Sequence, residues 1–148
     1  MAGIHGSITR SAIASGTAAK TIGQLIAAAN HRVMLKGWGV SLAGIVATEA
    51  PVLVELVRQT TAGTTTALTP VKIDETDDET LQTTARHTAT AEPTTGDIIE
   101  SHEVHPQGGS FDVIYSHPGK TIMGGGRLGI RVTAGVTVNC TFWMDFEE

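Results

Sequence analysis

The last third of the chain alternates apolar and polar residues for longer than any other pattern in the sequence. Val136, Val138, Cys140, Phe142, Met144 and Phe146 fall on one parity, and Thr137, Asn139, Thr141, Trp143, Asp145 and Glu147 on the other. A period of two held this long fits a strand with one buried face and excludes an amphipathic helix. Leu128, Ile130 and Val132 alternate in the same way with Arg127, Gly129 and Arg131 just upstream. Thr133-Ala134-Gly135 separates the two runs, so the sequence predicts a hairpin.

The same reading extends upstream. Phe111, Val113 and Tyr115 share a face between Gln107-Gly108-Gly109 and His117-Pro118-Gly119, which gives a further strand with turn residues at both ends. Val52 to Val57 is apolar on both faces, as a central strand is, and Pro51 precedes it. From His31 to Leu42 the apolar phase moves from odd (Val33, Leu35) to even (Trp38, Val40, Leu42) across Lys36-Gly37, which predicts either a β-bulge there or a bend where the strand passes between sheets, and places Trp38 in the core. Arg86 to Ala91 and Asp97 to Val104 read as weaker strands. Ala67 to Ile73, interrupted by Pro70, reads as an edge. Thr60 to Thr66 has the composition of an exposed hairpin loop, and Asp74 to Glu79 that of a solvated acidic connector.

The first thirty residues are small, Ala-rich and almost uncharged; Ser7 to Ala14 alternates weakly, and Thr21 to Ala29 reads as either a strand or a short helix. A segment of this kind has little of its own to bury. Residues 1–20 are therefore expected to be an extended N-terminal arm that pairs with the body or with a neighbouring chain, with Ile4, Ile8 and Ile13 as its contact residues. Residues 21–148 form a single domain. About eight or nine strands with turn signals between them, no helix long enough for a βαβ unit and no internal repeat predict an all-β fold. The expected architecture is an antiparallel β-sandwich, jelly-roll-like in arrangement.

Composition narrows the function classes. Ten Lys and Arg spread along a chain of 148 residues with net charge -5 leave no basic stripe for a phosphate backbone, so nucleic acid is not an expected partner. There is no long apolar run and no cationic region followed by an apolar one at the start, which predicts a protein made and used in solution, away from membranes. A lone cysteine excludes an internal disulfide framework. Cys140 lies in the buried phase of its strand and is expected to be inert.

Few residues suggest chemistry. Gly119-Lys120-Thr121 ends like a P-loop, but Ile114 stands where that loop needs glycine. Asn139-Cys140-Thr141 matches a glycosylation sequon by chance. His102 and His105 point to opposite faces of a strand, whereas Glu100 and His102 share one, and His87 could lie on a neighbouring strand. His87, Glu100 and His102 are thus the only candidate metal set, of the kind a cupin-like metalloenzyme would use; the default is a solvated polar face with no metal. No nucleophile with its base can be singled out, so no enzyme activity is expected. Trp143 lies on the polar face of the last strand. It marks either a contact surface or packing against its own chain.

Several phrases carry a resemblance. They are Lys36-Gly37-Trp38-Gly39-Val40-Ser41-Leu42, the run from Pro51 to Thr64, Leu68-Thr69-Pro70-Val71-Lys72, the run from His87 to Thr94, His105-Pro106-Gln107-Gly108-Gly109, and Phe146-Glu147-Glu148. Over residues 18–148 the chain resembles small structural proteins of tailed bacteriophages. The resemblance implies a virion component on the capsid exterior, a decoration or cement protein whose partners are the major capsid protein and copies of itself, as a homotrimer. It implies no cofactor and no catalytic residue. The alternative is a tail- or fibre-associated module that binds host glycan, for which Trp143 and Tyr115 are the available rings.

Overall fold

The computed structural model describes residues 3–45 and 50–148. Among these the chain forms twelve strands and no helix: β1 (His5–Ala14), β2 (Lys20–Ile26), β3 (Val33–Ala43), β4 (Val52–Gln59), β5 (Thr64–Leu68), β6 (Val71–Lys72), β7 (Thr84–Ala91), β8 (Thr95–Val104), β9 (Gln107–Ile114), β10 (Lys120–Ile122), β11 (Arg127–Thr133) and β12 (Asn139–Glu147). They build two six-stranded antiparallel sheets. The first runs β10-β3-β12-β1-β6, with β9 also paired to β3; the second runs β5-β7-β2-β11-β4-β8. The sheets pack face to face as a β-sandwich. Trp38, Phe142, Phe146, Leu25, Leu56, Leu128 and Ile130 fill the space between them, all fully buried.

The bulge in β3 forms where the phase changes. Asp145 of β12 pairs with Gly37 and the next residue, Phe146, with Leu35, so Lys36 is the extra residue. Leu35 and Trp38, of opposite parity, both reach the core because of it.

Two predicted hairpins are corrected. β11 pairs with β2 and β4 in the second sheet, whereas β12 pairs with β1 and β3 in the first. The connection between them crosses the sandwich, burying Ala134 and Val138. Ser15 secures the crossing: its N–H donates to the Val138 carbonyl at 2.9 Å and its Oγ accepts the Val138 N–H at 3.0 Å. Alternation fixes which side of a strand is buried, and two strands facing each other from opposite sheets satisfy it as well as two in one sheet. In the same way β4 and β5 are not partners: β4 lies near one end of the second sheet and β5 at the other.

The expectation of an N-terminal arm is also corrected. β1 pairs with β12 from His5↔Glu147 to Ala14↔Asn139. Its register shifts between Arg10 and Ile13, where Ala12 takes a left-handed conformation (φ 57°). That bulge brings Ile8 and Ile13, of opposite parity, to the same buried face. It also hides the alternation that a regular strand would show.

Candidate functional site

The expected metal set does not assemble. His87 is on β7, one strand from an edge of the second sheet, and Glu100 and His102 are on β8 at the opposite edge. Three strands stand between β7 and β8, about 19 Å at the usual spacing. Among the described residues no group of three His, Cys, Asp or Glu side chains could hold a metal ion. His87 instead pairs its Nδ1 with Thr88 Oγ1 at 2.9 Å. Burial, and then the charge of Arg10, hold its imidazole below the ordinary histidine pKa.

Glu100 and His102 do share a face, and they take part in a different cluster. Trp38 projects from β3 and its indole N–H lies 3.2 Å from Glu100 Oε2 and 3.1 Å from the Tyr115 hydroxyl. The Tyr115 hydroxyl donates to Glu100 Oε1. His102 Nε2 is 3.5 Å from Glu100 and its ring stacks on Phe111, centroids 4.3 Å apart. Lys120 lies 5.2 Å above the Tyr115 ring and 4.0 Å from Glu100. Burial, and then the bond to Glu100, raise the Tyr115 pKa far above the ordinary phenol value. The Glu100 carboxylate accepts from Trp38 and Tyr115, with His102 and Lys120 beside it. The cluster joins the edge of one sheet to the other sheet, closing that side of the sandwich.

Nor do the proposed contact residues of the arm face outward. Ile4, Ile8 and Ile13 are all buried in their own chain's core. Trp143 packs on its own sheet across two glycines of β3. A Cβ at Gly39 would stand 2.3 Å from its Nε1, so only glycine admits the ring there. Its indole N–H donates to Asp112 Oδ1 of β9 at 2.8 Å. The ring remains half-buried.

Large apolar side chains are exposed at several places, among them Val71, Ile73, Ile98, Ile114 and Met123, and two more, Ile45 and Val136, line one groove. At one end of the sandwich, the residues after β3 and the crossing into β12 enclose an open groove of about 480 Å³, lined by Ala43, Gly44, Ile45 and residues 136–139. Ile45 is 88% exposed and Val136 53%. Every lining side chain is uncharged. Gly44 N–H donates to the Pro106 carbonyl at 2.7 Å, which ties this corner to the β8–β9 connection. The sequence reading missed Ile45. Its signal was an apolar residue in the uncharged run Ala43-Gly44-Ile45, beyond the end of the β3 alternation.

A second cleft, of about 490 Å³, opens between β5, β6, β7 and the connector before β7. Leu68, Pro70 and Leu81 form its apolar wall, and Lys72 and Arg86 stand at it. Cys140 is enclosed in the core, and burial pushes its thiol pKa up to about 11, which leaves it protonated and inert at neutral pH.

No protein-family model, curated protein or solved structure matches this chain.

Proposed function

We propose that this protein is a non-enzymatic virion structural component, a decoration or cement protein that binds the lattice of a major capsid protein on the head exterior and stabilises it. The observation that supports this most directly is the uncharged groove with Ile45 and Val136 at its lip. Exposed large aliphatic residues beside a concave apolar surface are what a protein contact uses, and a rigid sandwich presents them at a fixed position. In this reading the tip seats on the capsid surface, and copies of the chain associate around a symmetry axis as a trimer.

The test uses heads prepared with and without the protein. Decorated heads should withstand heat or chelator better than bare ones. The double variant Ile45→Asp with Val136→Asp should fold normally and lose occupancy on the heads. Equal resistance of the two kinds of head, or full occupancy by the double variant, overturns the proposal.

A further inference from the structure

The outer face of the first sheet carries a single indole on a polar ground. Register sets Thr9, Trp143, Gly39 and Asp112 in one row across β1, β12, β3 and β9. Phe142, Met144, Trp38 and Val40, of the other parity, fill the core, so this row faces away from it. Two directions in the plane of the Trp143 ring fix its attitude. Its N–H points across β3 to Asp112 Oδ1, 2.8 Å away. Its long axis runs along β3, with Nε1 over Gly39 and Cη2 over Gly37, where a Cβ would stand 3.0 Å from it. Both directions lie parallel to the sheet. The indole therefore lies flat on the two glycines and turns its other face away from the sheet.

What surrounds the ring selects what can stack on it. On one side Thr141 and Ser41 offer hydroxyls; on the other is Asp145, and Ile114 stands beyond Gly37 at the margin. Asp145 and the second oxygen of Asp112 are carboxylate acceptors that no other described residue uses. Lys36, the cation beside Gly37, is held by Glu147 at 2.9 Å. A nucleobase would bring its phosphates against these acids with no cation to receive them. An apolar protein patch would strip the carboxylates of water and leave them unpaired. We propose that this face binds a neutral sugar, one hexose ring laying its C–H face on the Trp143 indole while its hydroxyls donate to Asp112 and Asp145 and exchange hydrogen bonds with Thr141 and Ser41. A pyranose has C–H groups on its face and hydroxyls around its rim, the same order as the indole and its surround. Bonds from hydroxyl to carboxylate are the stronger, charge-assisted kind. The glycines and Asp112 set the ring in place beforehand, so binding orders little. The inference goes beyond the capsid reading and does not depend on it, because the groove at Ile45 and Val136 shares no residue with this face.

Proton–nitrogen NMR of the full-length chain tests it, since the chain has two indole N–H signals, Trp143 on this face and Trp38 in the core as an internal control. The titrants are maltose, lactose, mannobiose and chitobiose, all neutral, and digalacturonate, which is anionic. At least one neutral disaccharide should shift the Trp143 indole signal and the amides of Thr141 and Asp112 with a dissociation constant of about a millimolar, and leave the Trp38 signal in place. Digalacturonate should bind about tenfold more weakly or not at all. Trp143→Ala and Asp145→Ala should each weaken binding by about tenfold or more. If Trp143→Ala fails to fold, Asp145→Ala and the wild-type shifts decide the question. Trp143→Ala that folds should keep its occupancy on heads, so the failure of this inference and that of the capsid reading are told apart. The proposal is overturned if no neutral disaccharide moves the Trp143 signal, if neither variant weakens binding, or if digalacturonate binds as tightly as the best neutral sugar.

Discussion

The indole N–H of Trp38 on β3 points at the carboxylate of Glu100 on β8, 3.2 Å away, and so links the interior of one sheet to the edge of the other. Trp38 is fully buried, and the bond satisfies a donor that its ring carries into the core. Tyr115 shares the same carboxylate, so removing the acceptor affects both groups. Glu100→Ala should destabilise the fold by about 1–3 kcal/mol, the usual cost of leaving buried donors unpaired. Urea unfolding measures this; an unchanged midpoint would show that the corner contributes nothing to closure.

Ile8 and Ile13 test whether β1 belongs to the sandwich. Both are buried against β12 and its neighbours. Ile8→Ala or Ile13→Ala should each cost about 2–5 kcal/mol, and deletion of residues 1–15 should abolish cooperative unfolding. Amide exchange in β1 of the intact chain should be as slow as in β12. Fast exchange in β1 alone would return the segment to the role of a detachable arm.

Gly23 has no room for a side chain. A Cβ there would stand 2.5 Å from the Phe142 ring, which packs across β2 from the opposite sheet. Gly23→Ala should therefore cost about 1–3 kcal/mol through overpacking. A thermal midpoint equal to wild type would show that the Phe142 ring can move aside.

The pattern of what could be read in advance follows from what alternation encodes. It located β12, β11, β9 and β4, because each has one face, or both, filled with apolar residues, and the change of phase marked Lys36-Gly37 as a bulge or a bend, which the register with β12 resolves as a bulge. It could not assign strands to sheets, which is why the β11–β12 crossing read as a hairpin. β1 showed only a weak alternation from Ser7 to Ala14 because the bulge at Ala12 breaks its period, and its burial depends on a partner more than a hundred residues away. His87 and Glu100 looked combinable for the same reason: a chain position does not give a place in the strand order. The groove at Ile45 and Val136 comes from two connections meeting at one end of the fold, a proximity no local pattern carries.

His87 gives stability a pH dependence. Its pKa is lowered in the folded chain, chiefly by burial, from an ordinary value of 6.5. The unfolded chain therefore binds the proton more readily. The contribution of neutral His87 is fully present above pH 6.5 and is lost as the pH falls from there through the folded pKa. The thermal midpoint should drop across that interval, and His87→Gln should flatten the drop. An identical slope in the variant would assign it to other groups.

Cys140 should be invisible to a thiol reagent in the folded chain at neutral pH and react fully once the chain unfolds, since burial both shields it and raises its pKa to about 11. Rapid labelling under native conditions would mean that the core opens at β12.

The most direct measurement for the central claim is the occupancy of purified phage heads by the added protein, compared between wild type and the Ile45→Asp, Val136→Asp double variant. The account predicts that wild type fills a regular set of sites on the head exterior and raises the temperature at which the heads disrupt, while the double variant leaves them bare. Heads that remain bare with the wild-type protein, or particles that carry it only on the tail, would contradict it.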